Sequence, residues 1–247
     1  MGPSTVSTAT WHLAREGDAA EPELRPTVAP RTIVIYSDIS CAFAHLCVHL
    51  LHEAREQLRA NVRFVHRPFI LEEVNEFPIP KHFLDSEVPQ IAPLCIDAGW
   101  RVWTEPPETW PVSTLLAMEA VRAAERQSTA AHEQLDRALR RAFFSDHLCI
   151  SMRHVILQVA EGCPAVDADT LARDLDRGAA RGAVMEDHRQ ALRFVQGSPH
   201  LFFADGSAIH NPGIRVEWFG DQGTGYPDAS LLDPEIHRDL IRHAAEA

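Results

Sequence analysis

The chain has 247 residues, enough for one large domain or two small ones with a sizeable core. Apolar residues make up 45% of it and charged residues 23%, an ordinary balance for a globular protein. A formal net charge of −12 argues against nucleic acid and anionic membrane surfaces as partners, because both select a basic footprint. No apolar run reaches the length of a bilayer span. The first ten residues lack the basic start and apolar stretch of a secretory signal. The expectation is therefore a cytoplasmic protein with reduced cysteines. The five cysteines (Cys41, Cys47, Cys95, Cys149 and Cys163) agree, being widely spaced with no CxxC pair and no zinc-ligand spacing.

Residues 1–29, rich in Pro, Ala, Glu, Ser and Thr, read as a flexible leader that docks at most through Trp11 and Leu13. Order is expected from Thr32-Ile33-Val34-Ile35-Tyr36, a continuous β-branched run suited to a strand buried on both faces. An amphipathic helix follows over about 42–58, with Phe43, Leu46, Cys47, Leu50, Leu51, Ala54 and Leu58 on one face. A second strand at 62–67 ends at Pro68 and completes a βαβ unit.

Residues 71–194 read as Pro-rich irregular segments and then several helices. Leu135, Ala138, Leu139, Ala142 and Phe143 form the clearest stripe, and Glu119, Arg122 and Arg126 mark the polar face of the helix before it. Strand character returns at His200–Ala204. Asp205-Gly206 signals a hairpin into Ser207–His210, and Asn211-Pro212-Gly213 reads as a turn. Asp233 and Pro234 mark the start of a closing helix.

Cys41 ends the loop Ser37–Ser40 and directly precedes the first helix. Free N–H groups and the positive helix end favour thiolate there, and thiolate is the nucleophile. Gly197-Ser198-Pro199 sits just before the returning strand. A cis bond there would place the Ser198 backbone beside the nucleophile, ready to pair with a substrate segment. His200, just beyond, is a candidate general base.

Among fourteen histidines, His45, His49 and His52 follow one another at i, i+4 and i+7. They fall opposite Phe43, Leu46 and Leu50, so they read as a solvated face and no metal is assigned. His45 stands apart from the other two, because it lies in the first turn near Cys41. Trp100, Trp103 and Trp110 sit in a proline-rich loop that either lines a pocket over Cys41 or pins the loop to the core.

Ser37-Asp38-Ile39-Ser40-Cys41-Ala42-Phe43-Ala44 resembles the active-site segment of the DsbA family, especially its cytoplasmic FrnE-like branch. Val195-Gln196-Gly197-Ser198-Pro199-His200-Leu201-Phe202-Phe203 resembles that family's cis-proline segment. The resemblance implies an α/β thioredoxin-like fold formed by residues 30–70 and 195–247, with a large all-helical insertion at 71–194. It implies a thiol oxidoreductase. Ala42 and Ala44 stand where the family carries proline and a second cysteine, so Cys41 is left as a monothiol.

A monothiol is also similar to kappa-class glutathione transferases and 2-hydroxychromene-2-carboxylate isomerases, which carry serine at that position. What these relatives imply is glutathione or an equivalent small thiol as cosubstrate, with no tightly bound cofactor. Phe43, His45, Ser198 and Pro199 would hold it, and either a small thiol or an electrophile would be the partner. Thiol-dependent isomerisation or transfer is the alternative chemistry, and a redox-inactive binding module the alternative from another class. A homodimer is allowed.

Overall fold

The β-branched run forms β1 (Thr32–Ser37), whose six residues are all buried, in a computed structural model that describes residues 25–220 and 225–247. From β1 the chain passes through α1 (Ala42–Leu58) into β2 (Arg63–Pro68), which pairs parallel to β1. Helices α2 (Leu71–Asn75), α3 (Lys81–Ile91), α4 (Leu115–Ala124), α5 (Thr129–Phe144), α6 (Arg153–Glu161), α7 (Ala168–Asp176) and α8 (Arg181–Ala191) come next. The chain then returns as β3 (His200–Phe202), antiparallel to β1, and β4 (Ala208–His210), joined to β3 through the Asp205-Gly206 turn. The sheet order is β2-β1-β3-β4. This is the thioredoxin-like arrangement with helices inserted between its halves.

Alternation along β1 divides the core. Ile33 and Ile35 pack with Phe64, Leu201, Leu51 and Ile241 of the closing helix α9 (Ile236–Glu246). Val34 and Tyr36 face the inserted helices. Asp233 marks the approach to α9, its carboxylate accepting the Glu235 N–H at 3.0 Å, and the helix itself begins at Ile236.

The insertion also guards an open edge. β2 ends the sheet, so its outer N–H groups lack strand partners. Helix α5 supplies them from side chains: Glu133 accepts the Phe64 N–H at 2.9 Å, and His132 Nε2 accepts the His66 N–H at 2.8 Å. The Ile70 N–H, just past the strand, goes to His188 Nδ1 of α8.

Several sequence expectations are corrected here. His45 and His52 are not on a solvated face; they are 5% and 1% exposed, because α5 and the turn Ile96–Ala98 cover that side of α1. Glu119 is not on a polar face either, being buried and paired with Arg181 at 3.0 Å. A second hairpin, β5 (Ile214–Phe219) and β6 (Tyr226–Leu231), follows the Asn211–Gly213 turn where no strand was expected. It packs on α3, with Trp218 against Phe83 at 5.2 Å between ring centroids. Its alternate exposure gives it only a half-buried face, so no strong apolar run betrays it. Trp11 and Leu13 lie outside the described residues. Of the expected leader, the described part begins at Arg25, whose guanidinium donates to Gly206 O, and includes the buried Val28.

Candidate functional site

The loop from β1 to α1 is held by a dense set of hydrogen bonds. Asp38, fully buried, accepts from the Ser40 N–H and hydroxyl with one carboxylate oxygen (2.9 and 2.8 Å). Its other oxygen accepts from the Leu71 N–H and the Thr114 hydroxyl (2.9 and 3.2 Å). Burial pushes the Asp38 carboxyl above its usual range, and these four donors offset part of that rise. Arg140 of α5, 1% exposed, reaches across to donate to Asp38 O (2.9 Å) and the Ser37 hydroxyl (2.7 Å). Asp136, one helical turn earlier, holds that guanidinium through two oxygens at 2.8 and 3.1 Å. A charged clamp from the insertion thus fixes the loop that presents Cys41.

Cys41 is the N-cap of α1. Its sulfur accepts the Ala44 N–H at 3.4 Å and its thiol donates to Ser198 O at 3.2 Å. The Ser198–Pro199 bond is cis, and the Ser198 hydroxyl accepts the Asp38 N–H at 3.0 Å. Ser198 and Pro199 are therefore brought to the cysteine loop.

The electrostatic outcome differs from the sequence expectation. Cys41 is only 1% exposed, and burial pushes its thiol up to about 12. The contacts with Ser198 and Ala44 offset part of this, while Glu87 and Asp38 add to it. In the resting site the helix end does not overcome desolvation.

A small enclosed cavity of about 10 Å³, close to the size of one water, borders Cys41. Leu71, Ile79, Phe83 and Leu84 form much of its wall, and Glu87 of α3 completes it. Glu87 is fully buried, and neither carboxyl oxygen has a hydrogen-bond partner. Burial raises its pKa well above the usual carboxylate range. Sequence reasoning missed it, although a signal existed. Phe83, Leu84, Val88 and Ile91 form an apolar helical face, and Glu87 sits within it.

The remaining candidates fall elsewhere. His200 is not delivered to the sulfur: its Nδ1 accepts the Gln196 N–H at 3.1 Å, and its ring lies against Phe202 and His210. Burial lowers its pKa to about 3, so it is neutral. Phe43 is a core residue outside the lining of the Cys41 cavity. His45 Nε2 bonds Ala98 O at 3.0 Å, and its ring stacks on Phe144 with Trp100 edge-on at 4.6 Å. Its pKa is lowered to about 3 by burial.

His45 and Trp100 form part of the wall of an open cleft of about 610 Å³, separate from the Cys41 cavity. That wall needs Gly99, whose φ is +79° and where a Cβ would stand 2.7 Å from the Ser145 hydroxyl oxygen. The tryptophans pin the loop rather than roof Cys41. Trp100 donates to Cys95 O, Trp110 donates to Ile79 O, and Trp103 packs on Trp110 and Phe143.

A thioredoxin-like sheet, a cysteine capping the first helix and a cis-proline loop against its sulfur define the thiol–disulfide oxidoreductase class of fold. The chain belongs to the DSBA-like thioredoxin domain family, whose model matches residues 32–223. Among solved structures it is similar to the cytosolic disulfide reductase DsbM from Pseudomonas aeruginosa (14% identity, TM-score 0.61, covering 87% of this chain and 98% of that one). The same reductase with GSH aligns at 12% identity and TM-score 0.64, covering 87% and 100%. A probable DsbA oxidoreductase from Streptomyces coelicolor aligns at 17% identity and TM-score 0.62, covering 86% and 89%. No curated protein matches the chain by sequence.

Proposed function

We propose that the protein is a cytoplasmic thiol–disulfide oxidoreductase that uses Cys41 alone and exchanges with glutathione or an equivalent small thiol. The observation that carries this reading is the contact of Cys41 Sγ with Ser198 O, at 3.2 Å, on a helix whose first turn has Ala44 and no second cysteine. A small-thiol cosubstrate takes the place of the missing partner, and the structural likeness to a reductase solved with GSH supports that choice.

The cycle has two exchanges. Cys41 gives up its thiol proton and attacks one sulfur of a mixed disulfide between substrate and small thiol. A Cys41–small-thiol disulfide forms, and the departing substrate sulfur takes a proton. A second small thiol then attacks that bond, Cys41 leaves and is reprotonated, and a small-molecule disulfide is released. The two exchanges convert one mixed disulfide and one free small thiol into the substrate thiol and one small-molecule disulfide, with Cys41 regenerated.

Glu87 is placed to act as the general acid that reprotonates Cys41 when its sulfur leaves in the second exchange, because it shares the cavity and is held in its neutral acid form by burial. The thiol proton released in the first exchange passes to solvent once the site opens. The resting site is closed, so access requires the wall formed by α3 and Ile79–Pro80 to part from Cys41. Ser198 and Pro199 align the incoming sulfur by backbone contact.

The second reading is a redox-inactive binder, favoured by the 1% exposure of Cys41 and a thiol pushed up to about 12. Oxidised glutathione and intact-mass measurement separate the two. An oxidoreductase forms a glutathione adduct on Cys41 that reduced glutathione removes, and Cys41→Ser forms none. Absence of any Cys41 adduct, with alkylation by iodoacetamide appearing only at strongly alkaline pH, would establish the binder.

A further inference from the structure

Away from Cys41, three side chains of different donor chemistry converge on the outer end of α1. His49 and Glu53 stand one helical turn apart, with His49 Nε2 and Glu53 Oε1 at 3.5 Å. Cys95, from the segment after α3, joins them, and the three ligand atoms lie within 4.8 Å of one another. His49 Nε2 is buried and faces Glu53 Oε1 at 3.5 Å. Each of the three is only partly exposed, unlike an ordinary surface pair.

One nitrogen, one sulfur and one carboxylate oxygen, two of them at i and i+4 on a helix, form a donor set of the zinc type. His49 also lines the 610 Å³ cleft, as does Asp97, whose charge acts on both His49 and Cys95. The cluster thus borders that cleft through His49.

We propose that His49, Glu53 and Cys95 form a binding site for a divalent transition ion, with zinc the best chemical match, and that the site is independent of the Cys41 centre. It joins α1 of the thioredoxin-like frame to the inserted segment, so a bound ion ties the two together. The residues that a sequence scan for metal sites would pick, His45 and His49, do not chelate as a pair, because His45 is committed to Ala98 O.

Cobalt(II) is the probe, since a cobalt–thiolate bond gives a charge-transfer absorption that reports sulfur ligation directly. The full chain, reduced and metal-free, is expected to bind one equivalent with that absorption, and zinc is expected to displace the cobalt. Cys41→Ser retains the signal and Cys95→Ser abolishes it. His49→Gln, at a part-exposed position that folding tolerates, weakens binding by about tenfold or more. Zinc also raises the melting temperature of the parent protein and not of Cys95→Ser. A missing charge-transfer band, a band that survives in Cys95→Ser, or unchanged affinity in His49→Gln overturns the site. Because the cobalt signal is read in Cys41→Ser as well as in the parent, loss of the oxidoreductase reading leaves this result untouched.

Discussion

The thioredoxin-like frame and the inserted helices both bury polar groups beside apolar ones, but the buried charges of the insertion are the ones that reach across to the other region. The frame packs Ile33, Ile35, Phe64, Leu201 and Ile241 around its sheet, with apolar groups on apolar groups. The insertion carries Arg140, Asp136, His132, Glu133, Glu119 and Glu87 into its interior or onto the sheet edge. Apolar burial specifies where strands and helices go. Buried charge specifies which loop is held, which edge is closed and what faces the cysteine. In this protein the frame supplies the nucleophile, and the insertion supplies much of its environment.

The largest effects should come from setting one region against the other. Arg140→Ala leaves Asp136 buried without its cation and the Asp38 loop without its clamp, a loss of about 3–5 kcal/mol. Leu201→Ala in the frame should cost about 2–5 kcal/mol through a cavity. Denaturant unfolding gives both numbers, and the alkylation rate of Cys41 separates them. Arg140→Ala should speed alkylation under native conditions, because the loop presenting Cys41 is loosened, whereas Leu201→Ala should change it far less. Equal alkylation rates in the two variants would mean that the clamp does not govern the site.

These differences explain what was legible in the sequence. The βαβ start, the returning hairpin and the amphipathic α1 follow from apolar periodicity and turn residues, so their places were readable. Cys41 and Ser198-Pro199 were readable because position and motif coincide. Glu87 was passed over, although it sits within the apolar face of Phe83, Leu84, Val88 and Ile91, because a glutamate on a helix ordinarily points to water. His45 and His52 were misread because the helical wheel shows a polar face but not the inserted segment that covers it. His200 lies next to the right proline in sequence, yet its ring is turned to Gln196, Phe202 and His210. Adjacency in sequence does not give adjacency to the sulfur.

Glu87 offers a gain rather than a loss. Its carboxyl is buried without a partner, so Glu87→Met, which keeps the volume and removes the polar group, should stabilise the protein by about 1–3 kcal/mol near neutral pH. The native state holds Glu87 protonated above the pH at which the unfolded chain releases that proton. The native state therefore binds more protons, and its stability falls as pH rises from the ordinary carboxylate range through the raised pKa. The advantage of Glu87→Met should accordingly grow with pH over that window and fall in acid to the smaller, pH-independent cost of burying the neutral carboxyl. The buried histidines act in the opposite sense. His45, His66 and His200 are lowered to about 3, so the native state loses stability as pH falls below about 6.5. Comparing the variant with its parent at each pH cancels the histidine contribution. A constant difference across pH would show that Glu87 is ionised or finds a partner in solution.

The smallest effect tests whether charge or hydrogen bonding closes the β2 edge. Glu133 does two things there: it accepts the Phe64 N–H at 2.9 Å and pairs with Arg55 at 2.7 Å. Glu133→Gln keeps an acceptor oxygen and discards the ion pair, which is partly open to solvent, so the expected loss is below about 1 kcal/mol. Glu133→Ala discards both and leaves a strand N–H unpaired, costing about 1–3 kcal/mol. Amide hydrogen exchange gives the decisive signal, because it reads Phe64 directly. Protection at Phe64 should persist in Glu133→Gln and fall in Glu133→Ala, while Val34 in the central strand is unchanged in both. If Glu133→Gln loses Phe64 protection as fully as alanine does, the edge is held by the charge, and the insertion stabilises the frame by ion pairing rather than by supplying the missing hydrogen-bond partners of an outer strand.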